Sequence, residues 1–538
     1  MSDARKIAGI DLGTTYSAIA HFNEYGKVDI VPNSEGERIT PSVILFDDDE
    51  VIVGKVAKNQ AVASPENVIQ FVKRYIGEQD WLQTINGRDY TPEILSALIL
   101  KRIVSDAEDQ LGVEITDVVI TVPAYFNDNE RKATEDAGQI AGLSVLGLLN
   151  EPTAAAIAYG MNNLDKTIKA VVYDLGGGTF DVTVLDIEGN NVKVLATAGE
   201  RRLGGKDWDD YLLNHVAEAF IDEHGIDPRD DLESYQDLVI KVEDAKKTLS
   251  RKKEVKIFAQ CGGKSLKVPV TRETFEELTR PLLEQTETYV DMVLSKAGLS
   301  WDQIDEIVPV GGSTRMPAVH EMLVRVTGKE PSKGVNPDEC VAAGAAYWAA
   351  ILAVRQGEEF KDKVEAGTAT EEEADFAQVS QQFEESLPEE IIGLLRGTVV
   401  KNVNSHSLGI VVVTPDGTER NVIMIPEQTE LPAKVTKIFG TAEDNQVTVD
   451  VNIVEGESED PEDCVSIGTL MISDLPSNRV KGSKVRVTYT YNEDGRIEIY
   501  AQDEETGADA RTDIKRTSEG LSSEQMAQVG TEIASMLE

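Results

Sequence analysis

The residues Asp174-Leu175-Gly176-Gly177-Gly178-Thr179-Phe180-Asp181 lie between two apolar runs, 171–173 and 182–185, and read as a hairpin turn suited to an anion. Three successive glycines let backbone N–H groups crowd together with no Cβ in the way, and such a run forms an anion-binding concavity. An aspartate closing the incoming strand suits a hydrated divalent cation, because Mg²⁺ keeps several waters and takes few protein carboxylates. The same chemistry is set out again in Ile10-Asp11-Leu12-Gly13-Thr14-Thr15-Tyr16, also between short apolar strands. Two like hairpins so far apart imply two like lobes.

Further glycine turns follow. Gly204-Gly205 stands just before a helical stretch, and Gly311-Gly312-Ser313-Thr314-Arg315 follows the apolar run 307–310. A strand, a glycine pair and a helix start form a common ligand edge in α/β folds. Charged candidates are spread between these turns. Lys73 falls in a stretch read as helical from Ser64-Pro65, with Val68, Phe71, Val72 and Tyr75 on one side. Glu151 stands where a strand passes into an alanine-rich helix, a place carboxylates also occupy for dipole reasons alone. Glu243, Lys246, Lys247 and Ser250 recur at spacings of three and four and so share one helix face, which could equally be a solvated face with an ion pair. Asp338 reads as the N-cap of a helix over 340–354.

The elements that must hold these residues divide the chain. Its 538 residues suffice for about three or four domains. Residues 1–355 alternate short strands and helices. Residues 357–390 change character, with twelve acidic side chains against two lysines and scattered Phe360, Phe376 and Phe383; they read as an acidic linker or partly helical insertion, bounded at 356–396. Residues 397–518 become all-β: Val485, Val487, Tyr489 and Tyr491 alternate with polar neighbours, Asn492-Glu493-Asp494-Gly495 turns, and Ile497, Ile499 and Ala501 resume the alternation. Pro415-Asp416-Gly417 marks another hairpin. The segment 519–538 holds one short helix, opened by the capping spacing of Ser522 and Gln525, with Met526, Val529, Ile533 and Leu537 on one stripe.

Composition narrows the function. A formal charge of −44 should repel phosphate backbones and anionic lipid, so neither nucleic acid nor membrane is an expected partner. Three widely spaced cysteines, Cys261, Cys340 and Cys464, suggest neither a disulfide framework nor a zinc cluster. Without a signal-peptide core at the N-terminus or a run long enough to span a bilayer, the expectation is a cytoplasmic protein.

Taken together, the turns 11–16, 174–181 and 311–315, with Asn150-Glu151-Pro152-Thr153-Ala154-Ala155-Ala156 between them, resemble the DnaK-type seventy-kilodalton heat-shock chaperones, and the likeness resumes in Phe439-Gly440-Thr441-Ala442-Glu443-Asp444-Asn445-Gln446. The resemblance implies a multidomain protein: an α/β actin-like ATPase domain of two lobes, an all-β sandwich that holds extended apolar segments of unfolded polypeptide, and one short C-terminal helix as a remnant of the family's lid. It implies ATP or ADP with Mg²⁺ and K⁺ in the cleft. Gly13, Thr14, Thr15, Tyr16, Gly176, Gly177, Gly178 and Thr179 would contact phosphates, Asp11 and Asp174 would hold the hydrated cation, and Lys73 would face the γ-phosphate. Glu151, Asp181 and Thr179 would serve catalysis. Gly204, Gly205, Glu243, Lys246, Lys247, Ser250, Gly312, Ser313, Arg315 and Asp338 would complete the nucleotide pocket, and Ile410, Val413, Phe439, Ala442, Val449 and Val451 would line the peptide channel. Pro123 and Arg131 match positions that relay nucleotide state.

Departures from the pattern carry expectations of their own. The interdomain linker, Thr398-Val399-Val400-Lys401, is only half apolar, which puts coupling between the domains in question. Gly147 replaces an arginine that docks J-domain co-chaperones, which argues against that partner while leaving a nucleotide-exchange factor open. Lys247 replaces an arginine beside adenine, keeping the charge without the planar stacking group. The first lobe reads as shortened between Ile76 and Thr91. The chain ends at Glu538 where the family continues into a lid, so bound peptide is expected to exchange quickly. A nucleotide-switched scaffold holding one defined partner with little turnover is the alternative reading; a sugar kinase or filament protein is disfavoured by the motif at 442–446.

Overall fold

Each of the two Asp-Gly turns closes a hairpin at the heart of its own sheet. In a computed structural model, which describes residues 5–47, 50–414, 416–473, 475, 477–492, 497–513 and 523–537, the first sheet runs in the order Ser144–Asn150, Glu114–Val122, Arg5–Asp11, Tyr16–Phe22, Val28–Ile30. The strand Arg5–Asp11 is parallel to Glu114–Val122 and antiparallel to Tyr16–Phe22. The second sheet repeats the motif: Glu306–Val310 lies parallel to Thr167–Leu175, which pairs antiparallel with Phe180–Glu188 and so on to Asn191–Glu200. Residues 170–175 and 180–185 of these strands are buried on both faces and mostly apolar, as a sheet covered by helices on each side requires.

Between the sheets run two alanine-rich helices, Glu151–Met161 and Cys340–Ala366. Small side chains let them touch backbone to backbone. A Cβ on Gly344 would stand 1.8 Å from the carbonyl oxygen of Ala154, so only glycine fits that crossing. One apolar core joins them, from Val119 and Leu149 through Ala154 and Ala345 to Val172 and Val308.

Residues 357–397 are more regular than an acidic linker. The helix begun at Cys340 continues to Ala366, and Glu371–Glu385 and Glu389–Gly397 fold back against it. A capping box between Thr370 and Glu373 starts the second helix. The scattered aromatics turn inward, Phe360 against Phe376 at 5.8 Å and Phe383 against Phe22 at 6.1 Å, while the acidic residues stay in water. The helical reading of 65–75 is corrected. Residues Val68–Gln70 form a strand between two short 3₁₀ turns, because Phe71 takes a left-handed backbone (φ 62°) that no helix continues through.

Beyond Val400 two four-stranded antiparallel sheets face each other across an apolar core. One comprises Glu419–Ile425, Leu408–Val413, Val449–Glu455 and Val465–Ile472; the other Ala433–Gly440, Lys484–Tyr491, Ile497–Asp503 and Asp509–Asp513. The Tyr489 hydroxyl donates to the Gly409 carbonyl between them. Pro415, Ser522 and residues 493–495 of the expected turn lie outside the described residues. The last helix, Ser523–Leu537, does not lie on these sheets. It packs on the first lobe against the helices Pro92–Leu111 and Asp128–Ile140 and the strand Glu50–Val53, with Ile533 fully buried.

Candidate functional site

A cleft of 1340 Å³ opens between the two lobes, and the glycine turns form its floor. They meet tip to tip. A Cβ on Gly177 would fall 2.3 Å from the Thr15 hydroxyl and one on Gly178 would fall 2.5 Å from that of Thr14, so the two hairpins approach as closely as glycine allows. Gly204 backs onto Gly178 in the same manner, and the Ser313 hydroxyl donates to the Gly176 carbonyl at 2.9 Å. Of the cleft residues expected from sequence, Asp11, Gly13, Thr14, Thr15, Tyr16, Lys73, Glu151, Asp174, Gly176, Gly177, Thr179, Gly205, Glu243, Lys246, Lys247, Ser250, Gly312, Ser313, Arg315 and Asp338 all line this one space.

Three buried carboxylates, Glu151, Asp174 and Asp181, and the half-buried Asp11 share a single buried ammonium, Lys73, which is ion-paired to Glu151. Burial and then the Glu151 charge push Asp11 up to about 7, with Lys73 opposing. The same two causes push Asp181 up to about 8, against the N–H of Tyr125, which donates to Asp181 Oδ1 at 3.2 Å. Asp174 is raised well above the carboxylate range by burial and by its acidic neighbours. The cluster is short of positive charge, and a cation entering it would relieve that shortage. Among the described residues no three carboxylates, imidazoles or thiols converge as direct metal ligands.

At the far wall the predicted helix face is real. Glu243 accepts from Lys58 at 2.5 Å and from Lys247 at 2.6 Å, and the Tyr16 hydroxyl takes both ammonium groups at 3.0 and 3.1 Å. Burial alone would raise the Glu243 carboxyl; Lys58 and Lys247 outweigh it and hold it at about 2. Lys246 donates at 2.7 Å both to the Gly205 carbonyl and to Asp209, whose carboxyl burial pushes up to about 6. Asp338 is corrected as a helix cap: Glu339 occupies that position, while Asp338 pairs with Arg315. Sequence reasoning missed Lys58, Asp207 and Asp209. It also passed over Arg74, whose guanidinium donates to the Gly178 carbonyl at 3.0 Å and to Asp207. A cation directly after Lys73 was the only local sign.

The predicted channel residues are less unified. Ile410 and Val451 are buried between the two sheets, with Phe439 and Val449 packed against that core, whereas Val413 is exposed at its strand end and Ala442 is half-buried in a loop. The junction with the lobes is extensive. Strand Val400–Lys401 adds in parallel to the edge of the second lobe's sheet through Val192 and Lys193, and Arg355 donates to the Thr398 carbonyl. Ser405 donates to the Ala124 carbonyl, the His406 ring to the Tyr125 carbonyl at 3.1 Å, and the Asp128 N–H to Glu455 at 3.0 Å. Among the described residues no helix is long and apolar enough to cross a membrane.

Comparison with known proteins covers nearly the whole chain. The family described as Hsp70 protein matches residues 7–364 and 393–538, leaving out little more than the helix Glu371–Glu385 and its flanks. A chaperone protein DnaK of Halobacterium salinarum is 39% identical over 529 residues, 97% of this chain and 77% of that protein. One from Thermotoga neapolitana is 40% identical over 505 residues, 92% of this chain and 78% of that protein.

Proposed function

Since the chain belongs to the Hsp70 family, we propose that it is an ATP-dependent chaperone: the cleft binds and hydrolyses ATP, and the paired sheets beyond Val400 form a sandwich that holds extended apolar peptide. The observation that carries this reading is the tip-to-tip contact of the turns 11–16 and 174–181 with the Lys73–Glu151 pair behind them.

On this reading the two lobes form an actin-like ATPase domain, and the Gly13–Thr15 and Gly176–Thr179 backbones cradle the phosphates from both sides. Lys73 neutralises charge on the γ-phosphate. Glu151 and Asp181 orient the attacking water, and Thr179 closes the turn over it. Phosphoryl transfer to water needs such positioning and charge neutralisation, and no covalent nucleophile. Hydrated Mg²⁺, held by Asp11 and Asp174 through its waters, would supply further neutralisation of the phosphates, and K⁺ would share the same acidic cluster. Glu243, Lys246, Lys247 and Ser250 take the adenosine. In the sandwich, Ile410, Phe439, Val449 and Val451 give an apolar strand-type site, with Val413 and Ala442 at its rim.

Mixing a fluorescent apolar peptide with the protein and then adding ATP with K⁺ tests the reading. Release on ATP addition is expected. Hydrolysis that leaves peptide affinity unchanged would refute the coupled chaperone.

A further inference from the structure

Residues 246–272 carry nine basic side chains and one acidic one in a chain whose formal charge is −44. They run from the cleft wall along an antiparallel hairpin, Glu254–Cys261 paired with Lys264–Thr271. Lys256 lies opposite Pro269 and Phe258 opposite Lys267, so the two lysines share the outer face of the ribbon while Ile257, Ala259, Val268 and Val270 turn inward. Arg251, Lys252, Lys253, Lys256, Lys264 and Lys267 are all exposed, and among the described residues none of the six forms an ion pair. Other cations at the rim are already committed: Lys247 to Glu243, Arg38 to Glu339, Arg315 to Asp338. Arg251 and Lys252 line the cleft itself, so the patch is continuous with its mouth.

A polyanionic ligand approaching so acidic a protein meets long-range repulsion. We propose that this basic hairpin is an electrostatic guide that draws the nucleotide triphosphate to the cleft; the proposal rests on the nucleotide-binding reading of that cleft. Six uncommitted cations beside the opening reverse the sign of the local field where the ligand enters. Lysines that remain solvated, with no carboxylate to neutralise them, act over a distance set by the Debye length, about 30 Å at 0.01 M salt and about 8 Å at 0.15 M. Of the six, Lys253, Lys256, Lys264 and Lys267 lie outside the cleft lining, so these four accelerate arrival and leave the bound complex untouched.

The test is stopped-flow binding of a fluorescent ATP analogue to the full chain across ionic strength. The unaltered chain should associate more slowly as salt rises, the sign of attraction. A variant with Lys253, Lys256, Lys264 and Lys267 all changed to Gln should associate about tenfold more slowly at low salt, and should associate faster as salt rises, because the overall charge then dominates. Its dissociation rate should not change, and the corresponding four-Arg variant should restore the original association rate and slope. Equal association rates and parallel salt slopes for the unaltered and Gln variants overturn the guide while leaving the nucleotide site intact. Absence of binding by the unaltered chain overturns the site reading and the guide with it.

Discussion

Asp181 and His406 hold opposite ends of one residue. The Tyr125 N–H donates to the Asp181 carboxylate in the cleft, and the Tyr125 carbonyl accepts from the His406 ring at the start of the β-rich half. A carboxylate of the cleft and the β-rich half are thereby tied to one and the same backbone segment.

That grip can be removed without touching the cleft. In Ser405→Ala/His406→Ala, ATP hydrolysis should persist while ATP-driven peptide release slows by about tenfold, within the usual 1–3 kcal/mol of coupling between sites. Peptide dissociation followed by fluorescence anisotropy with and without ATP measures it; unchanged acceleration by ATP rules out this junction as the relay.

Lys73→Ala should reduce single-turnover hydrolysis by about 10²-fold or more with nucleotide still bound, the usual cost of losing a group aimed at developing charge. Deleting one member of a buried ion pair strands the other. The variant should therefore melt lower, and Glu151→Gln on the same background should restore the melting temperature without restoring turnover.

Two buried groups at the junction titrate in opposite senses. Burial pushes Glu455 up to about 7, so its contribution to docking is full below the ordinary glutamate range and is lost as pH rises towards 7. Burial lowers His406, despite its bond to the Tyr125 carbonyl, so its contribution is full above the ordinary histidine range and is lost as pH falls. His406→Gln should leave docking that weakens between pH 5 and pH 7, and Glu455→Gln docking that strengthens over the same interval. Hydrogen exchange at Val192 and Val400 follows both; slopes of the same sign in the two variants would refute the assignment.

Gly344→Ala places a methyl group against the Ala154 carbonyl at the helix crossing. Overpacking there should cost about 1–3 kcal/mol and lower the melting temperature of the lobes. Differential scanning calorimetry with and without ATP would register it, and an unshifted lobe transition would show that the crossing relaxes freely.

What could be read from the sequence was whatever is local. Glycine runs bounded by aspartates announce their own geometry, and the face of Glu243, Lys246, Lys247 and Ser250 follows from helix period alone. Residues 65–75 were misread because Val68, Phe71, Val72 and Tyr75 keep a helical spacing that one left-handed residue breaks. Composition left 357–397 open between an acidic linker and a partly helical insertion, because its buried residues are few and widely spaced among acids; the helices Glu371–Glu385 and Glu389–Gly397, with Phe376 and Phe383 against their partners, take the second reading. Lys58 and Asp209 gave no local signal, because each becomes a site residue only when the lobes bring Glu243 and Lys246 to it.

The terminal helix alters the mechanics of the whole chain. An amphipathic stripe announces a buried face but not its host, and here the host is the first lobe, with Glu532 paired to Arg88 and Gly530 lying under the Ile140 carbonyl. The chain enters the β-rich half at Val400–Lys401, on the edge of the second lobe's sheet, and beyond Asp509–Asp513 it is next described in the helix Ser523–Leu537 on the first lobe. The β-rich half is thus spliced between one anchor on each lobe, and unseating the helix would leave its C-terminal side without a counterpart to the anchor at Val400.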